Sequence, residues 1–184
     1  MAEGLRGIFL LGEEDLTLIP IVACLSVTLV ASYTDIRRQS IPNPLTVSAA
    51  LAGLCFQCYE AGLVEGGCFA LQGLALGVSL LFIPFLLGGM GGGDVKLLGA
   101  LGAWLGPADV AAVFFYTAMA GGVWALWVMF GRGSRMRLAG VWFDIAAFLA
   151  TRRKLEPVSG ARVFPYTGPM VAGLLVFVFL GPFF

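Results

Sequence analysis

The chain has 184 residues, of which 59% are hydrophobic and only 12% charged, with a mean hydropathy of +0.94. A soluble domain carries about half apolar and about a quarter charged residues, so the composition excludes one and marks an all-α integral membrane protein in contact with the lipid bilayer. Lys plus Arg equal Asp plus Glu at 11 each, with no His, which argues against nucleic acid as a partner.

The length holds a single membrane-embedded unit, residues 1–184. Residues 1–15 carry Glu3, Glu13, Glu14 and Asp15 against Arg6 alone, the wrong charge for a secretory signal, so none is expected. Leu16 to Thr34 is an apolar run of spanning length, since about 20 helical residues cross the hydrocarbon layer. The polar connection from Asp35 to Ser40 follows, and Asn43 then reads as an N-cap with Pro44 at the first helical position. A second span runs over 44–59, a turn over 60–67, and a third span over 68–87. Gly73-x-x-x-Gly77 gives the third span a face for close packing. Gly88-Gly89-Met90-Gly91-Gly92-Gly93 interrupts the apolar sequence, and such glycines free the backbone for positive φ and close approach.

A fourth helix starts at Asp94 and is stopped by Gly106-Pro107. At roughly 18 Å its 94–105 stretch is too short for the hydrocarbon layer, so Asp94 sits below the surface in a watered recess or the far end is drawn in. A fifth span runs over 108–130. Residues 131–162 form a basic connection with Arg132, Arg135, Arg137, Arg152, Arg153, Lys154 and Arg162. Within it, 138–150 is expected to form an interfacial helix. A sixth span, 163–184, ends the chain. The basic residues gather in loops one, three and five, so the positive-inside rule puts those loops in the cytoplasm and both termini outside.

Cys55 and Cys58 form a C-x-x-C, but without His a zinc site would need Cys24 and Cys68 inside the bilayer. Buried cysteine as a small hydrophobe is the simpler reading, and no metal or cofactor is expected. A Cys58–Cys68 disulfide is left open. The glycine run lacks the Lys-Ser/Thr ending of a phosphate loop and a preceding strand, so it is not one.

On this topology Asp35 and Asp94 lie on the same, cytoplasmic side. Read alone, Asp94 is a helix N-cap and Asp35 a hydrated neighbour of Arg37 and Arg38. Read together, they are a candidate catalytic pair, because two close carboxylates share one proton. The ionised member then takes a proton from water while the other donates to a scissile carbonyl, which is the chemistry of peptide hydrolysis. Lys96, two residues from Asp94, snorkels towards the surface and is kept as a candidate substrate contact.

These residues resemble a family. Gly91-Gly92-Gly93-Asp94-Val95-Lys96-Leu97 matches the GxGD signature of the type IV prepilin peptidases, which are membrane aspartic proteases. Asp35, six residues before Ile41-Pro42-Asn43, is similar to that family's first-aspartate motif. Pro165-Tyr166-Thr167-Gly168-Pro169 is similar to its Pro-Tyr-Gly-Pro stretch, with Thr167 a departure. The resemblance implies removal of the short basic leader from prepilin or pseudopilin precursors, after a Gly, at the cytoplasmic face of a bacterial inner membrane. It implies Asp35 and Asp94 as the catalytic pair, with Gly91 and Gly93 shaping a loop that admits the substrate backbone. Longer members carry a cysteine-bearing domain in the first loop, tied to N-methylation. Its absence here resembles the short forms of tight-adherence pilus systems. Rival readings are a proton-coupled transporter subunit, which needs ionisable groups spread along a path, and a presenilin-like intramembrane protease, whose Pro-Ala-Leu stretch is not found.

Overall fold

The computed structural model of the chain describes residues 13–86, 91–130 and 166–181. Among them the order is α1 (Glu13–Arg38), α2 (Asn43–Ala61), α3 (Glu65–Leu86), α4 (Gly92–Phe130) and α5 (Thr167–Leu180), with no strand. Leu18–Arg38, Glu65–Leu86 and Gly92–Trp124 are long and apolar enough to cross a membrane, and Thr167–Leu180 is a shorter apolar helix. The protein is an all-helical membrane protein. The segment expected as an interfacial helix, 138–150, lies outside the described residues.

Helix α4 is the centre of the bundle and packs against each of the other four helices. Of its most apolar stretch 67% is buried, against 17% in α1 and 22% in α3. Leu97, Leu98, Leu101, Val110 and Val113 on α4 meet Leu81 of α3 and Met170 and Leu174 of α5 in one core. The outer faces keep large apolar side chains exposed, among them Leu29, Leu71 and Ile83. In water such faces would be a liability; against lipid they are the expected surface.

The α3–α4 seam is the tightest packing, and small residues in the sequence mark it. A Cβ built on Gly73 would overlap the carbonyl oxygen of Gly102, and one on Gly102 that of Gly73. Gly77 lies against the carbonyl of Leu98, and Gly99 against Val78. With lipid as solvent, contact between backbones replaces hydrophobic burial as the source of helix association.

The stretches expected as fourth and fifth spans are two limbs of α4, broken at Gly106 (φ 81, ψ 179) just before Pro107. The Phe69 ring occupies the place a side chain at 106 would need, so glycine serves both the backbone angle and the packing there. A helix break leaves carbonyls without intrahelical donors. Gln57 of α2 donates to the carbonyl of Trp104 at 2.6 Å, and the Trp104 indole donates to the carbonyl of Ala49 at 2.8 Å. These bonds pin the first limb of α4 to α2.

Three boundaries around the two aspartates differ from expectation. Helix α1 continues past Thr34 to Arg38, which puts Asp35 in its last turn. It stops where Gln39 takes φ 51 while its N–H still bonds the Asp35 carbonyl at 2.7 Å. That is the left-handed helix stop, occupied here by a residue other than glycine. Helix α2 is capped by Pro42 rather than Asn43, with no side-chain cap bond. Helix α4 begins at Gly92, so Asp94 lies inside its first turn and is not an N-cap.

Candidate active site

One cavity of about 350 Å³ opens between the end of α1 and the start of α4. Its walls are Asp35 and Ile36, the connection through Gln39, Ser40 and Ile41 to Asn43, and the run from Gly91 to Asp94. Both candidate aspartates therefore face the same space, although 58 residues separate them in sequence. They are near enough for the charge of Asp35 to act on Asp94.

The two carboxylates are held differently. Asp35, half-buried on the last turn of α1, accepts a 2.9 Å hydrogen bond at Oδ2 from the hydroxyl of Thr167. Thr167 is fully buried at the first position of α5. Asp94 is 7% exposed, and its Oδ1 is buried with no hydrogen-bond partner among the described residues. The Asp94 backbone N–H bonds the Gly91 carbonyl at 3.2 Å, which closes the first turn of α4. A buried carboxylate oxygen without a donor is rare, because it forfeits hydration for nothing in return. This oxygen belongs to a residue that lines the cavity.

Gly91, Gly92 and Gly93 work through space and not through backbone angle. Among the described residues positive-φ glycines are Gly62, Gly106 and Gly181, so Gly91, Gly92 and Gly93 need no left-handed conformation. A Cβ on Gly93 would come within 3.0 Å of the Ile41 Cβ, so the absent side chain lets the Ile41-Pro42-Asn43 connection close over the start of α4. A Cβ on Gly91 would stand 3.5 Å from Asp94 Oδ2, so the absent side chain leaves the approach to that oxygen open.

Lys96 does not line the cavity. It is exposed, and its Nζ donates to the Asn43 side-chain oxygen at 2.8 Å. The bond explains why Asn43 does not cap α2: its side chain ties the first connection to α4. Sequence reasoning misses Thr167 as a partner of Asp35, although it singles out the Pro165–Pro169 stretch. The available signal is a polar side chain in that stretch able to donate from a hydroxyl beside an apolar helix, together with Tyr166. Tyr166 comes close enough to Asp94 to feel its charge.

Among the described residues no three His, Cys, Asp or Glu side chains gather as a metal site. Cys24, Cys55, Cys58 and Cys68 are all free thiols, so Cys58 and Cys68 are not paired.

Comparison with known proteins points the same way as the geometry. A prepilin leader peptidase/N-methyltransferase of Bacillus subtilis (strain 168) is 33% identical over 127 residues, which is 64% of this chain and 48% of that protein. The protein of the same description from Neisseria gonorrhoeae is 32% identical over 113 residues, 55% of this chain and 37% of its own length. That of Klebsiella pneumoniae is 38% identical over 87 residues, 45% of this chain and 38% of its own. The chain thus spans half or less of the length of these relatives. No solved structure matches it. The sequence pattern of the type IV leader peptidase family matches residues 22–126, more than half of the chain and inclusive of Asp35, the glycine loop and Asp94. The chain belongs to the type IV leader peptidase family.

Proposed function

We propose that this protein is a membrane aspartic endopeptidase that removes the short basic leader of prepilin-like precursors. The observation that carries the reading is the shared cavity: Asp35 and Asp94, from two helices far apart in sequence, face one space at one end of the bundle. In that space a water molecule attacks the scissile carbonyl as the ionised carboxylate takes its proton. The protonated carboxylate donates to the carbonyl oxygen, and the tetrahedral intermediate collapses as the amine leaves with a proton. Gly91 and Gly93 leave room for the substrate backbone beside Asp94. Among the described residues Asp94 is the one charged side chain in the buried set, which disfavours a proton relay across the bilayer.

The relatives' shared description joins leader peptidase to N-methyltransferase, and only the first activity is proposed for this chain. The connection between α1 and α2 is residues 39–42 alone, with no room for the cysteine-bearing domain of the longer forms.

The proposed setting is a bacterial cytoplasmic membrane crossed six times, the two limbs of α4 counting as the fourth and fifth crossings. Asp35, Asp94 and the basic 131–162 connection then face the cytoplasm, and both termini face outward. Cysteines introduced at Ser134 and Ser159, in a background without native Cys, should resist an impermeant thiol reagent on intact cells. Labelling without lysis would overturn this orientation.

The function is tested by co-expressing the chain with candidate precursors that carry a basic leader, a Gly and a following hydrophobic helix. Intact mass of the products should show the leader removed after the Gly. A full panel of precursors left uncut by folded protein would contradict the reading.

A further inference from the structure

Seven described serine and threonine hydroxyls make hydrogen bonds of known partner, and six of them behave alike. Ser26, Thr28, Thr34, Thr46, Ser48 and Ser79 each donate to a carbonyl three or four residues back on their own helix. This is the usual local bond of a helical hydroxyl and carries no tertiary information. Thr167 differs. Its hydroxyl crosses from α5 to α1 and donates to Asp35 Oδ2, a partner 132 positions away.

Position explains the freedom. Thr167 is the first residue of α5, so its own helix holds no carbonyl three or four residues back. It has no exposure at all, and among the described residues Asp35 is the partner its hydroxyl finds. The next residue before it, Tyr166, sits within reach of the charge of Asp94. The start of α5 therefore bonds Asp35 through Thr167 and brings Tyr166 near Asp94.

We propose that Thr167 is a positioning residue for the carboxylate pair. By occupying Oδ2 it fixes the rotation of the Asp35 carboxylate and leaves Oδ1 as the oxygen that exchanges a proton with the attacking water. It touches neither water nor substrate. The inference rests on the peptidase reading above and adds a residue from outside the 22–126 stretch that the family pattern matches. It also gives α5 a part in the chemistry beyond packing against α4.

The test compares wild type, Thr167→Ser, Thr167→Val and Asp35→Asn on one prepilin-like precursor, with kcat and KM measured separately and thermal unfolding followed in the same detergent. Valine keeps the shape of threonine and removes the hydroxyl. It should lower kcat on the order of 10-fold, the scale of a lost hydrogen bond to a charged group, with KM within about twofold. Serine keeps the donor and should retain kcat within about threefold, which a purely packing role for the γ-methyl would not allow. Wild-type kcat in Thr167→Val overturns the proposal, as does a loss in Thr167→Ser equal to that in valine. Should valine prove unstable, Thr167→Ala is read by the same two criteria against serine. Cleavage that persists in Asp35→Asn strikes instead at the paired-aspartate mechanism, and precursor left uncut by wild type strikes at the peptidase reading itself, so the failures are told apart.

Discussion

Glycines crowd two regions of this molecule, the α3–α4 seam and the loop at the start of α4, and they do unlike work. In the seam, a side chain on Gly73 or Gly102 would run into the backbone of the opposite helix. At Gly91 to Gly93, the nearest atoms a side chain would meet belong to other side chains: Ile41 at 3.0 Å from Gly93, Phe85 at 3.4 Å from Gly92, Asp94 Oδ2 at 3.5 Å from Gly91. Backbone in two packed helices has nowhere to go, whereas an isoleucine can shift by a few tenths of an ångström. The seam glycines hold the fold together, and the loop glycines keep space clear beside a carboxylate. Richness in glycine alone does not tell these roles apart; what lies opposite does.

The largest effect is expected at the seam. Gly73→Ala or Gly102→Ala should cost about 3 kcal/mol, the upper range for overpacking a site that cannot relax. The loss should appear as a lower midpoint of unfolding in detergent and a smaller yield of inserted protein. A wild-type midpoint for both variants would show that the helices can part without penalty and that the seam glycines do not hold the fold.

The loop should respond in activity and not in stability. Gly93→Ala is expected to keep the unfolding midpoint within the scatter of wild type, while the Ile41 connection shifts and leader removal falls on the order of 10-fold, as a misplaced site does. Gly91→Ala puts a methyl group beside Asp94 Oδ2 and should raise KM more than it lowers kcat, because it narrows the approach. Loss of folded protein in Gly93→Ala, matching the seam variants, would erase the distinction between the two regions.

The smallest effect is expected at Lys96. If its work is the bond to Asn43, Lys96→Met should cost about 1 kcal/mol of stability, the usual net worth of such a bond, and Asn43→Ala should cost the same. The double substitution should add little to either single one, since both remove one interaction. If Lys96 instead binds substrate, Lys96→Met would raise KM while Asn43→Ala would not.

Much of this arrangement is legible in the amino-acid sequence. Asp35 and Asp94 stand out because ionisable groups are costly in an apolar chain, and counting spans is enough to put them on one side. Gly73-x-x-x-Gly77 announces a close seam, and Gly106-Pro107 announces a break. What the sequence conceals are contacts with no local signature. The Thr167–Asp35 bond joins residues 132 positions apart, and a hydroxyl in the Pro165–Pro169 stretch signals a donor without telling which group it reaches. Asn43 looks like a cap by its place before Pro44, but a lysine on a later helix claims its side chain. Helix α1 runs to Arg38, past its expected end at Thr34, and stops because Gln39 takes a left-handed angle that side chains other than glycine seldom adopt. Local propensity is readable from neighbours; tertiary partners are not.

Asp35 and Asp94 acting as one unit is the claim on which the rest depends. Its most direct test is the rate of leader removal by folded, inserted Asp35→Asn, Asp94→Asn and the double variant, beside wild type. Asparagine keeps the size of aspartate and much of its hydrogen bonding but cannot carry the exchanged proton. Each single substitution should bring cleavage down by about 1,000-fold or more, and the double should be no worse than either, because groups that act together fail together. Substantial leader removal by either single variant, in protein shown to be folded, would contradict the paired-aspartate mechanism.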